Sequence, residues 1–214
     1  MEPLTRGEAP ILEQLDQPTR LLVLLAAAIA RGRDPDLDQA AGAARAGGVP
    51  PQWVDELLLQ SVLICGWPRA LTGARACRQA GFPVSPGEDA TDYRCYRDWI
   101  IRGEATCREV YGSTYPALRR NIQALHPALD AAMIVEGYGR VIGRPGLDLA
   151  RRELCTVAQI AIQDARRQLR SHLQGALNSG AAPELVTRAL ELVQPDLRPE
   201  EWAEIWQLWE RVRG

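Results

Sequence analysis

Apolar residues recur every three or four positions along almost the whole chain, and no stretch alternates with period two between hairpin turns. This pattern predicts an all-α protein. The spacing predicts helices over 18–31, 36–46, 51–65, 68–80, 91–111 and 115–125, and then over 127–138, 149–163, 166–179, 183–192 and 199–212. Pro51, Pro68, Pro183 and Pro199 suit the first turn of a helix, where the missing amide would have no intrahelical acceptor. Gly32, Gly47 and Gly180 suit helix ends, where left-handed backbone is common. The longest apolar run, 21–30, is about half the length a bilayer span needs and follows an acidic rather than a basic stretch. A soluble, cytoplasmic protein is expected.

Sliding the chain against itself by 132 positions aligns Arg20 with Arg152, Leu22 with Leu154, Ala26 with Ala158 and Leu37 with Leu169. The same offset aligns Ala44 with Ala176, Gly48 with Gly180, Pro51 with Pro183 and Val54 with Val186. A Gly-x-x-Pro-x-x-Val string recurring at matching helix junctions points to an internal duplication. The expected organisation is a degenerate N-terminal repeat over 1–82, a connecting helical segment over 83–125 and a C-terminal repeat over 126–214, with the break at 83–88. The copies differ at two chemically important positions: Glu153 corresponds to Leu21 and His172 to Ala40. Proton-transfer chemistry is therefore expected from the C-terminal copy alone.

Composition narrows the field. The 214 residues are 46% hydrophobic, enough to bury a substantial core, and 25 basic and 27 acidic residues are scattered along the chain for a net charge of −2. No basic stripe exists to neutralise phosphates, so neither nucleic acid nor an anionic membrane is expected as a partner. Cys65, Cys77, Cys95, Cys107 and Cys155 are odd in number and contain no Cys-x-x-Cys pair, which argues against a disulfide framework, a zinc knuckle and a thioredoxin-like motif. Two histidines give little material for a catalytic metal centre, and no phosphate-cradling glycine motif occurs. Trp202, Trp206 and Trp209 share a helix face and read as a core or subunit-contact stripe.

Glu153 and His172 fall on consecutive helices joined by a short turn around 164–166. Antiparallel packing would let the carboxylate orient the imidazole and leave the other ring nitrogen for acid–base work near neutral pH. Taken singly, each has a structural reading: Glu153 as a carboxylate near a helix N-terminus, His172 as a packing histidine.

The run Tyr138-Gly139-Arg140, Arg144-Pro145-Gly146-Leu147-Asp148, Arg152-Glu153-Leu154 and His172-Leu173-Gln174-Gly175-Ala176-Leu177-Asn178-Ser179-Gly180 resembles the carboxymuconolactone decarboxylase family. These all-helical oligomeric proteins include the AhpD-type hydroperoxidases. The resemblance is close over about 45 residues and looser through the first repeat, where Glu56, Gly66 and Pro68 resemble the family's next helix pair. It implies an AhpD-like helical fold in two tandem repeats, the second nearer the family pattern. It also implies a homo-oligomer, with a trimer of two-repeat chains standing in for the hexamers of single-repeat relatives.

The hydroperoxidase branch carries a Cys-x-x-Cys pair ahead of the His, and the corresponding positions here are Ala165 and Gln168. A disulfide cycle needs both a nucleophilic and a resolving thiol, so the peroxidase or antioxidant alternative is disfavoured. What remains resembles the decarboxylase branch: a cofactor-free lyase or proton-transfer enzyme acting on a small-molecule substrate, a carboxylated lactone or related carbonyl acid. On that resemblance His172 is the proton donor and Glu153 its partner. Arg144, Arg140 and Arg152 are candidate carboxylate anchors, and Tyr138 a phenol for an enolate. One departure bears on the site. The Gly-x-Pro element expected after the C-terminal Gly turn is replaced by Gln194-Pro195-Asp196-Leu197-Arg198-Pro199 and survives only as Cys65-Gly66-Trp67-Pro68. Either the pocket borrows from the other repeat or the site has been repurposed, and a non-catalytic oligomeric or ligand-binding member is the third alternative.

Overall fold

The computed structural model describes residues 15–84 and 91–214, so most of the expected break at 83–88 lies outside the described residues. The chain forms α1 (Gln17–Arg31), α2 (Asp34–Ala46), α3 (Pro51–Gln79), α4 (Tyr96–Tyr111) and α5 (Tyr115–Leu125). Next, α6 (Pro127–Ala132) runs into a π-helical stretch, Met133–Ile142. Finally come α7 (Leu149–Ile162), α8 (Arg166–Asn178), α9 (Pro183–Val193) and α10 (Pro199–Arg213). Among the described residues no β-strand forms and no helix is long and apolar enough to cross a membrane.

Three elements depart from the periodicity. Helices expected over 51–65 and 68–80 join as α3, broken only at Gly66, whose backbone (φ 77°, ψ 165°) only glycine adopts readily. Pro68 then sits at the start of the second half, where its missing amide costs nothing. The stretch 91–111 opens with a short 3₁₀ turn, Tyr93–Cys95, before α4. The helix expected over 127–138 changes at Met133 to wider π turns and continues to Ile142. This stretch crosses α4 closely, with backbones meeting at Gly103 and Gly139. A Cβ on Gly103 would lie 2.0 Å from the Ile134 carbonyl oxygen, and one on Gly139 would lie 2.0 Å from that of Trp99. The Arg102 guanidinium, donating through Nε at 2.6 Å, satisfies the Gly139 carbonyl.

The duplication is written in the backbone. At the offset of 132, α1, α2 and the start of α3 overlay α7, α8 and α9, while the second half of α3 corresponds to α10. Asp16 caps α1 by accepting from the Thr19 amide at 2.7 Å, and Asp148 caps α7 by accepting from the Arg151 amide at 3.0 Å. The turn after α1 uses left-handed Gly32 (φ 72°), and the turn after α7 puts Asp164 (φ 59°) there; Gly48 and Gly180 (φ 72° and 90°) match likewise. The copies pack α1 against α7, where Arg151 Nε donates to Thr19 Oγ1 at 2.7 Å. Those two residues are equivalent, so the local pseudo-two-fold axis passes between them. One apolar core spans both repeats, and a smaller one under Val110, Tyr115, Ile134 and Tyr138 joins α4 and α5 to the π-helical stretch. Trp209 is buried in the main core, with its indole N–H donating to Thr187 at 2.9 Å, and Trp202 and Trp206 pack half-buried beside it. His126 stands at the α5–α6 break and caps α6, its Nδ1 accepting from the Ala128 amide at 3.1 Å.

A polar seam inside this core ties α3 to α7. Arg152, with 0% exposure, donates through Nη2 to Glu56 Oε2 at 2.8 Å and through Nε to the Leu147 carbonyl at 3.0 Å. Gln60 then reaches the Arg152 carbonyl (3.0 Å) and Thr156 Oγ1 (2.9 Å), Gln159 donates to Ser61 Oγ (2.7 Å), and Gln163 donates to the Ile64 carbonyl (3.1 Å).

Two substitutions test this frame. Glu56→Gln removes the carboxylate that answers Arg152 and is expected to lower stability by about 3–5 kcal/mol in denaturant unfolding. Gly103→Ala forces a methyl into backbone on the partner helix and is expected to cost about 3 kcal/mol, with thermal unfolding showing the loss.

Candidate active site

The Asp148 cap fixes where α7 begins and places Glu153 past its first turn, 1% exposed, rather than at the helix N-terminus. Asp164 reverses the chain, and α8 then carries His172 in its second turn. His172 Nδ1 lies 2.8 Å from Glu153 Oε2, the side chains being 13% and 2% exposed. A carboxylate only accepts, so Nδ1 carries the hydrogen and Nε2 is left for chemistry. Gly175, one turn beyond His172, makes the approach possible: a Cβ there would lie 2.8 Å from Glu153 Oε2 and 2.7 Å from Val110 Cγ1.

His172 and Glu153 line a cavity of about 390 Å³ whose walls are mostly apolar. Met133, Glu136, Gly137, Tyr138 and Ile142 come from the π-helical stretch, Leu129 and Ala132 from α6, Thr156 from α7 and Tyr111 from the end of α4. Leu63 and Ile64 of α3 close it, directly before Gly66-Trp67-Pro68. The pocket of the C-terminal repeat thus takes a wall from the N-terminal one. The Tyr111 ring stands edge-on to both His172 (6.3 Å between centroids) and Tyr138 (6.1 Å). Tyr138 is buried, and its hydroxyl neighbours that of Tyr111. Burial holds the Tyr138 phenol well above its ordinary pKa and pushes that of Tyr111 up to about 12, so both stay protonated.

Of the residues singled out in the sequence, Glu153, His172 and Tyr138 come together here. The three arginines do not line the cavity. Arg152 is committed to Glu56, and Arg144 Nε donates to the same carboxylate at 3.1 and 3.2 Å. Arg140 pairs with Glu136 at 2.8 Å and stacks over Tyr93 and Trp99. The expected carboxylate anchors thus stand outside the cavity wall, each paired with a glutamate, Glu56 or Glu136. Sequence reasoning missed Tyr111. It lies in the segment between the repeats, where the duplication offers no counterpart, and its one local signal is a helix-terminal aromatic before Gly112.

The first repeat keeps the shape of the site without its chemistry. A cavity of about 250 Å³ is lined by Leu21 and Ala40, at the places of Glu153 and His172, with Leu24 and Ala43 beside them. Asp196 stands where Ile64 stands in the other pocket, and it pairs with Arg31. Thiol chemistry has little to work with. All five cysteines are free, and burial pushes the thiols of Cys65 and Cys107 up to about 12 and that of Cys77 to about 11, away from the thiolate that a redox cycle uses.

The fold and site therefore define a duplicated all-helical protein with a single Glu–His pair in an apolar pocket. The model of the carboxymuconolactone decarboxylase family matches residues 4–79 and 127–210, well over half of the chain, which belongs to that family. The chain is 31% identical over 137 residues to peroxisomal protein 2 of Schizosaccharomyces pombe, covering 63% of each chain. It is 36% identical over 95 residues to nitrosuccinic acid decarboxylase of Metarhizium robertsii, over 43% of this chain and 65% of that protein. The chain thus spans a little under two thirds of the length of both relatives.

The role of Gly175 can be checked directly. Gly175→Ala is expected to displace the Glu153 carboxylate, so that the hydrogen-bonded His172 Nδ1 proton seen downfield by NMR in the parent protein is lost, as it is in Glu153→Ala.

Proposed function

We propose that this protein is a cofactor-free decarboxylase of a small acid whose carboxylate neighbours an electron-accepting carbonyl, lactone or nitro group. The observation that carries this reading is an imidazole held through Nδ1 by a buried carboxylate, its ring on the wall of a mostly apolar cavity. Its volume of about 390 Å³ suits a small molecule. The family, and the relative named as a nitrosuccinic acid decarboxylase, support the reaction class.

The reaction balances with the residues present. The bond between the carboxyl carbon and its neighbour breaks, carbon dioxide leaves, and the electron pair passes into the acceptor group. An apolar wall disfavours the compact charge of the bound carboxylate more than the dispersed charge that replaces it. Protonated His172 then delivers a proton from Nε2 to carbon and is recharged from water, while Glu153 holds the ring in place and stabilises its charged form.

The test is carbon dioxide release from a panel of carboxylated lactones, β-keto acids and nitrosuccinate. Turnover of at least one acid is expected, with His172→Ala lowering kcat by about 10²–10⁴-fold. Release from none of them, or release indifferent to His172, would sink the reading. The peroxidase alternative makes the opposite prediction, hydroperoxide turnover that disappears when all five cysteines are replaced.

A further inference from the structure

Decarboxylation leaves negative charge on the acceptor's oxygen, and a catalyst needs a donor aimed at that oxygen as well as an acid for the carbon. No guanidinium lines the cavity among the described residues, so an arginine does not fill the place. The two phenols do. Tyr138 is buried within the fold with its hydroxyl beside that of Tyr111, so when a substrate oxygen takes the Tyr111 hydrogen, the Tyr138 hydrogen is available to the Tyr111 oxygen. That neighbour steadies Tyr111 from behind, away from the imidazole. Tyr111 also stands edge-on to the His172 ring on the wall of the same cavity, so the phenol and the imidazole serve one small volume. An acceptor oxygen and the carbon to be protonated lie two bonds apart, which matches a donor and an acid on adjoining rings.

We propose that Tyr111, held by the hydroxyl of Tyr138, is the hydrogen-bond donor that seats the carbonyl or nitro oxygen of the substrate as it becomes negative. This rests on the decarboxylase reading. It assigns Tyr111 direct contact with the substrate and makes Tyr138 a positioning residue. Because burial keeps the Tyr111 phenol protonated up to about 12, it acts as a donor throughout the range in which the imidazole exchanges protons. It also narrows the substrate class: the acceptor must be a planar group ending in oxygen, so acids activated by an imine or a cationic nitrogen would gain nothing from this wall.

The probe is 4-nitrophenolate, whose oxygen carries delocalised negative charge and whose visible band shifts when that oxygen gains a donor. The parent protein is expected to bind it with a shifted band. Tyr111→Phe, which keeps the ring and its packing, is expected to weaken binding about 10–100-fold and abolish the shift, as loss of a hydrogen bond to a charged group does. Tyr138→Phe should keep the shift with a smaller loss of affinity. In turnover, Tyr111→Phe should lower kcat about 10²–10³-fold with little change in KM. Unchanged affinity and band in Tyr111→Phe, or no binding by the parent protein, would overturn the proposal. The two readings fail separately. Donor-dependent phenolate binding without turnover of any acid removes the reaction and leaves the donor, whereas turnover indifferent to Tyr111 removes the donor and leaves the reaction.

Discussion

A guanidinium with no exposed surface has to be answered from inside the fold, and Arg152 is answered by Glu56 from the other repeat. Burying an ion pair gains little over an apolar contact, but stranding one member is expensive, so the pair acts as a registration mark between α3 and α7. Burial depresses the guanidinium pKa, while Glu56 and the carbonyls of Leu147 and Arg144 hold its charge in place. The glutamine ladder that continues from it fixes how far α3 slides along α7. That position decides whether Leu63 and Ile64 reach the cavity at all. The site depends on a charge it does not use.

The two repeats share a backbone and divide the chemistry. Caps, left-handed turns and helix starts coincide at a constant offset, yet one pocket holds Glu and His and the other Leu and Ala. The copy that lacks Glu and His still contributes a wall to the Glu153–His172 pocket and one partner to the buried ion pair. The connecting helices take a similar part: α4 brings Tyr111 to the cavity and closely crosses, at Gly103 and Gly139, the π-helical stretch that carries Tyr138.

The parts that were legible in the sequence are those encoded locally. Helices 115–125 and 166–178 follow from spacing and from proline and glycine punctuation, and the Glu153–His172 pair follows from two helices joined by a short turn. The illegible parts depend on distant partners. Arg152 and Arg144 looked like substrate anchors because nothing in their neighbourhood reveals that a glutamate 96 or 88 positions earlier is waiting for them. Tyr111 was hidden because its significance comes from α4 lying across another element. The π turns were hidden because Ile134, Val135, Tyr138, Val141 and Ile142 are spaced acceptably for an ordinary α-helix.

That π-helical stretch has a consequence for how the chain tolerates change. Wider turns accommodate more residues over the same rise, so a deletion within 133–142 could be absorbed by reverting to ordinary α geometry without unravelling the helix. The residues on either side would keep roughly their facing, while those inside the shortened turn would move to new positions around the axis. The segment would stay helical and the core could stay closed, but Tyr138 would point away from Tyr111 or Met133 away from the cavity. Length at this place is therefore part of the site: a homologue one residue shorter between Pro127 and Gly143 could keep every side chain named above and still present a different pocket.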